Sequence, residues 1–142
     1  MIEGNCLCGA VSIRVEQLGG FTGACHCRMC QRWSGALYVS MPAAAEGVTV
    51  TGEVARYQSS EFSERAFCPR CGSHLWMRDT TEGDSADYEL MPGLFDAARD
   101  IPLTSEIYTD RALPGLALAG DHRRATRAEY EAKNPHLEGD IQ

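Results

Sequence analysis

A chain of 142 residues is long enough for one domain with a real core. Its make-up, 44% hydrophobic and 23% charged, is that of an ordinary globular protein, and 13 basic against 20 acidic residues leave a formal charge of −7. That balance argues against a nucleic-acid module, whose footprint is basic, and no apolar run approaches the roughly 18–20 residues of a membrane span.

The start, MIEGNCLCGA, lacks the basic first residues and apolar stretch of a secretory signal, so a cytoplasmic protein is expected. Val11, Ile13 and Val15 alternate with polar residues, the pattern of a half-buried strand. Residues 28–33 (RMCQRW) predict one or two helical turns. Leu37, Val39 and Met41 alternate again, and Val48 and Val50 lie between Gly47 and Gly52. Further short strands are expected over 54–60, 64–68, 74–79, 87–91 and 106–109, separated by Gly, Pro, Asp and Ser. Residues 121–133 have helix-forming composition with few apolar positions. The expected organisation is one domain over 1–120 and a polar helix or tail over 121–142. Short strands at this spacing indicate a mainly β fold, a sandwich or stacked sheets, with little helix.

All seven cysteines fall in three clusters: Cys6 and Cys8, then Cys25, Cys27 and Cys30, then Cys68 and Cys71. Spacings of two and three residues put several sulfurs within reach of one metal ion, and in a reducing compartment such clusters are ligands before they are disulfides. The partition that uses every cysteine is four plus three. Four thiolates close a structural zinc site; three leave a position open for chemistry. If Cys6 and Cys8 lie in a strand, both aim to one face with Leu7 turned away. In C-P-R-C-G the chain turns around the metal, with Gly72 permitting the turn. Pairing 6/8 with 68/71 would pin the first strand to a middle hairpin. A thioredoxin-like redox pair at Cys68 and Cys71 would need to open a helix, whereas the flanks read as strands.

Cys25, Cys27 and Cys30 supply three thiolates within six residues. The fourth corner is open to His26, a distant residue, water or a substrate thiol, although His26, between two ligands, should point away. His74 reads as an ordinary strand histidine, and His122 and His136 as tail residues without chemistry. An open thiolate-rich zinc site suits a soft incoming ligand, and zinc holds a bound thiol as thiolate at neutral pH. Such a site could join a small thiol to an aldehyde, or part them. Arg28 and Arg32 flank it and could meet the carboxylates of an anionic thiol; Arg65 and Arg70 are lesser candidates. Two other functions compete: a non-catalytic zinc-stabilised binding domain, for which Trp33, Tyr38, Trp76 and Tyr88 could form an exposed aromatic face although such residues are more often core, and a thiol redox or metal-handling protein.

The motifs G-x-C-x-C-G at Gly4–Gly9, C-H-C-x-x-C at Cys25–Cys30 with W-S-G-A at Trp33–Ala36, G-x-V-x-x-Y-x-S-S at Gly52–Ser60 and F-C-x-x-C-G at Phe67–Gly72 resemble the glutathione-dependent formaldehyde-activating enzyme family, which includes centromere protein V. The similarity covers residues 4–110. It implies a β-tent fold of stacked short antiparallel sheets, shared with the chaperone that releases nucleotide from Rab proteins. It also implies a structural zinc on Cys6, Cys8, Cys68 and Cys71 and a catalytic zinc on Cys25, Cys27 and Cys30. The implied activity is carbon–sulfur lyase chemistry on S-(hydroxymethyl)glutathione, with glutathione and formaldehyde as partners. Where members often carry a histidine after a proline near the domain's end, this chain has Glu106, and no tryptophan follows.

Overall fold

The computed structural model describes residues 1–137. Residues 138–142, the end of the expected polar tail, lie outside the described residues. Eleven strands and two α-helices appear among them: β1 (Ile2–Asn5), β2 (Ser12–Val15), β3 (Thr22–Cys25), α1 (Arg28–Ser34), β4 (Tyr38–Ala43), β5 (Val48–Thr51), β6 (Ala55–Gln58), β7 (Ser63–Phe67), β8 (His74–Asp79), β9 (Tyr88–Leu90), β10 (Leu103–Ile107), β11 (Arg123–Ala125) and α2 (Arg127–Lys133). The mainly β expectation holds. The chain divides into two compact units, Met1–Phe21 with Ser40–Pro102, and Thr22–Val39 with the chain from Leu103 onward.

In the first unit β1, β2 and β5 form an antiparallel sheet, with Ile13 opposite Gly4 on one side and Val50 on the other. Strands β4, β9, β8, β7 and β6 pair antiparallel in that order. The predicted alternation in β2 is observed: Val11, Ile13 and Val15 are fully buried, and Arg14 is exposed. They pack with Met41, Leu75, Trp76, Leu90 and Phe95 in one core that also contains Cys6 and Cys68. Gly4 allows that packing, because a Cβ there would lie 2.5 Å from the Phe95 ring. Burying such apolar side chains contributes about 1.5–3 kcal/mol each, which holds the cysteine-bearing turns in place.

In the second unit β10 lies between β3 and β11 and pairs parallel with both. This corrects the expectation of antiparallel sheets alone. Glycine and alanine make β3 inconspicuous: a Cβ on Gly23 would reach 3.0 Å from Ser105 Oγ on the neighbouring strand. Helix α1 starts at Cys27, whose sulfur accepts a hydrogen bond from the Cys30 N–H at 3.3 Å, and stops at Gly35 in the left-handed region. Residues 121–133 are not one helix. Arg123–Ala125 extend beside β10, and the helix begins only after Thr126, within a capping box with Glu129.

Candidate metal and catalytic site

Cys6 and Cys8 do not lie in a strand, which corrects one expectation. Strand β1 ends at Asn5, and the two cysteines sit on the turn to β2, closed by hydrogen bonds from Gly9 N–H to Cys6 O and from Cys6 N–H to Val11 O, both 3.0 Å. The turn achieves what the strand was expected to do: the two sulfurs are 3.7 Å apart and Leu7 is turned out, 88% exposed. Cys68 and Cys71 flank the turn between β7 and β8. The Gly72 N–H donates to Cys68 O at 2.8 Å, with Gly72 at φ 76°, as its glycine required. Cys8 and Cys68 sulfurs lie 3.8 Å apart. The four thiols thus form one group that could hold a metal ion. Ser73 ties the two turns together. Its hydroxyl accepts the Leu7 N–H at 3.0 Å and lies 3.2 Å from Cys71 Sγ.

The environment splits these thiols electrostatically. Hydrogen bonds from the Ser73 hydroxyl and backbone bring Cys71 down to about 5. Cys8 is lowered by a backbone bond from Ala10, but desolvation and the three neighbouring thiols outweigh it and push Cys8 up to about 11. One thiolate in the group therefore taxes the next, and a divalent cation among them would relieve all four.

The second group is Cys25, Cys27 and Cys30, whose sulfurs lie within 4.8 Å of one another. Cys25 ends β3, Cys27 caps α1 and Cys30 fills its first turn, so the strand-to-helix corner assembles the group. Contacts with Cys27 and Cys30 and burial push the Cys25 thiol well above its ordinary value. Cys27 is lowered by Cys25, but the Cys30 thiol and desolvation prevail and push it up to about 11. Three crowded thiols again resist joint ionisation without a cation. Among the described residues no fourth His, Cys, Asp or Glu joins them.

His26 points away from the sulfurs, buried at 1% exposure, and its Nε2 lies 2.7 Å from Glu106 Oε1. The histidine expected to be idle, His122, faces the same carboxylate: its Nε2 lies 2.5 Å from Glu106 Oε2, with the side chain 4% exposed. His122 is therefore a buried partner of Glu106 and not a free tail residue, which no local pattern in the sequence indicates. Burial pushes the Glu106 carboxyl up, but the two histidines more than offset it and hold it below the usual carboxylate value. His136 is exposed, and His74 opens β8, lowered by burial and the Arg65 charge.

Arg28 and Arg32 are exposed one turn apart on α1. Arg65 is 2% exposed inside β7, its Nε bonded to Ser59 Oγ at 3.2 Å, which removes it as a substrate contact. Arg70 is exposed on the turn between Cys68 and Cys71. The exposed aromatic face of the competing binding reading does not form: Tyr38 and Trp76 are core residues, and Trp76 packs edge-on against Tyr88 with ring centroids 5.2 Å apart. No helix among the described residues is long and apolar enough to cross a membrane.

Residues 1–111 match the family model described as glutathione-dependent formaldehyde-activating enzyme. An uncharacterised lyase of Schizosaccharomyces pombe is 28% identical over 109 residues, which cover 76% of this chain and 78% of that protein. A Halomonas elongata protein, provisionally named a glutathione-dependent formaldehyde-activating enzyme, is 32% identical over 89 residues, covering 56% of this chain and 57% of that protein. A Rhodobacter sphaeroides crystal structure from structural genomics aligns at a TM-score of 0.57 and 25% identity, over 72% of this chain and all of that one.

Proposed function

The chain belongs to the glutathione-dependent formaldehyde-activating enzyme family, and from that premise we propose that it is a zinc-dependent carbon–sulfur lyase acting on S-(hydroxymethyl)glutathione or a similar thiol–aldehyde adduct. The observation that carries the reading is the second cysteine group: three thiols converge, and among the described residues no fourth His, Cys, Asp or Glu closes the set. A tetrahedral metal there would keep one position for substrate.

The first group fits zinc by its own dimensions, and the sulfurs of the second lie within 4.8 Å of one another, within reach of one ion. Sulfurs at about 2.3 Å from a tetrahedral zinc stand about 3.8 Å apart, and the first group has separations of 3.7 and 3.8 Å. Cys6, Cys8, Cys68 and Cys71 would hold a structural ion, and Cys25, Cys27 and Cys30 a catalytic one. Zinc in the second group would supply the positive charge that keeps a small thiol ionised at neutral pH.

The chain's own residues do the positioning. Cys27 serves both as cap of α1 and as ligand, so the helix start and the metal site share one geometry. Arg28 and Arg32, one turn apart on the exposed side of α1, would receive carboxylates of an anionic thiol such as glutathione. In the forward direction the thiolate sulfur forms a bond to the aldehyde carbon; the carbonyl π pair moves to oxygen, which takes a proton from water. The reverse releases thiolate and aldehyde.

Exchange NMR tests the reading. Added in substoichiometric amount, the protein is expected to accelerate exchange between glutathione, formaldehyde and their adduct above the uncatalysed rate. Unchanged exchange with the zinc-loaded chain would refute it.

A further inference from the structure

The family match ends at residue 111, yet the chain beyond it folds back onto the strand beside the three-cysteine corner. Strand β11 pairs parallel with β10, placing Arg124 opposite Glu106. Helix α2 then docks through two further contacts: Arg127 N–H donates to Asp110 Oδ1 at 2.7 Å, and the Tyr108 hydroxyl donates to Glu131 Oε1 at 3.2 Å. Tyr108 is the one non-glycine residue with positive φ among the described residues, at 56°, and its ring packs on Tyr130. The segment is thus fastened along β10 and, just past its end, at Tyr108 and Asp110, with Glu106 between His122 and His26.

Glu106 is 5% exposed and spends both oxygens there. Oε1 meets His26; Oε2 meets His122, with Arg124 Nε at 3.2 Å. An ionised carboxylate only accepts, so each imidazole must carry a proton on Nε2. Residue 26 is then held three ways: by its ring, by its N–H donating to Ile107 O at 3.0 Å, and by its carbonyl, which accepts from Gln31 Nε2 at 2.8 Å. His26 is the residue between Cys25 and Cys27. Fixing its backbone and ring fixes the directions in which both flanking Cβ atoms point.

We propose that His122, delivered by the segment beyond the family-matched region, is a positioning residue for the three-cysteine site: it orients Glu106, which locks His26 and so sets the placement of Cys25 and Cys27. The inference rests on the zinc reading of that site. A buried ionic cluster that only glued the sheet would have no reason to end on the residue between two thiols. Groups that hydrogen-bond a metal's own ligands typically change its affinity 10- to 100-fold when lost, and His122, which reaches Cys25 and Cys27 only through Glu106 and His26, should act at or below the low end of that range.

The test uses the full chain loaded with zinc and follows metal release to a chelator, with the exposed thiols alkylated and mapped by mass spectrometry. In His122→Ala, zinc at Cys25, Cys27 and Cys30 should leave several-fold and at most about 10-fold faster, while release from the four-cysteine group is unchanged. His122→Gln, whose amide can still donate to Glu106, should recover most of the difference. Thr126→Ala, which strips the cap from α2 but leaves the Glu106 contacts, should release zinc like the wild type. If His122→Ala does not fold, His122→Asn against His122→Gln makes the same comparison, because the shorter amide falls short of the carboxylate. Wild-type release in His122→Ala, or equal acceleration at both groups, overturns the proposal. A wild-type chain that binds one zinc overturns the site reading itself, and this proposal with it.

Discussion

The division into a closed and an open metal site is tested most sharply by Cys8→Ser set against Cys27→Ser. Cys8 is exposed, so removing its sulfur costs no core packing, whereas Cys68, fully buried, would confound ligand loss with cavity formation. Structural zinc in small domains contributes on the order of 10 kcal/mol, comparable with the whole stability of a domain, about 5–15 kcal/mol. With about 2–4 °C of melting temperature per kcal/mol for a chain of this size, Cys8→Ser should melt at least about 20 °C below the wild type in zinc. Cys27→Ser should behave differently. Its sulfur accepts the Cys30 N–H as the cap of α1, and serine is a preferred residue for that role, so the helix keeps its cap and the melting loss should stay well below that of Cys8→Ser while the second zinc is lost. Circular dichroism melts paired with zinc counts per chain read both quantities. Chelator should bring the wild type down to Cys8→Ser. Equal melting losses in the two variants, or a Cys8→Ser melt unchanged in zinc, would refute the division.

Two further outcomes are expected. Replacing Arg28 and Arg32 singly by alanine should raise KM for the glutathione adduct about fivefold each, the worth of about 1 kcal/mol for an exposed ionic contact, with kcat nearly unchanged, as measured by initial rates; a fall in kcat alone would show that they do not bind substrate. Glu89 gives a pH prediction. Burial raises its carboxyl above the usual value, partly offset by the Ser40 hydroxyl, which donates at 2.9 Å. A raised acid favours the folded state below its unfolded pKa, and that advantage is lost as pH rises through the folded pKa. Glu89→Gln should therefore flatten the pH dependence of stability just above pH 4.5, read by urea unfolding across that range; an unchanged slope would contradict the burial argument.

What could be read from the sequence, and what could not, follows from the range of the forces involved. Ligand clusters are local: two or three residues of spacing bring sulfurs together whether the backbone is a strand, as expected at Cys6 and Cys8, or a turn, as found. The alternation of Val11, Ile13 and Val15 was legible because one face of the strand is buried throughout. Strands β1, β3 and β11 were not. Their residues are small or charged, IEGN, TGAC and RRA, and they become strands only through partners far along the chain.

The same reasoning explains why His122 looked inert. Parallel pairing of β10 with both β3 and β11 joins segments some 80 and 18 residues apart, which no local pattern announces. That pairing, and nothing near it in sequence, gives Glu106 its two imidazoles. A lone glutamate in a strand with no charge beside it reads as solvent-facing. Once buried, it must be satisfied on both oxygens, because an unpaired buried carboxylate would neutralise or unfold its surroundings. The cysteines therefore announce where a metal would sit, while the residues that hold those cysteines in place are visible only after the parallel strands bring 26, 106 and 122 together. If the fold after residue 111 does tune the site, relatives with the same cysteines and a different C-terminal segment should hold the second metal with measurably different strength.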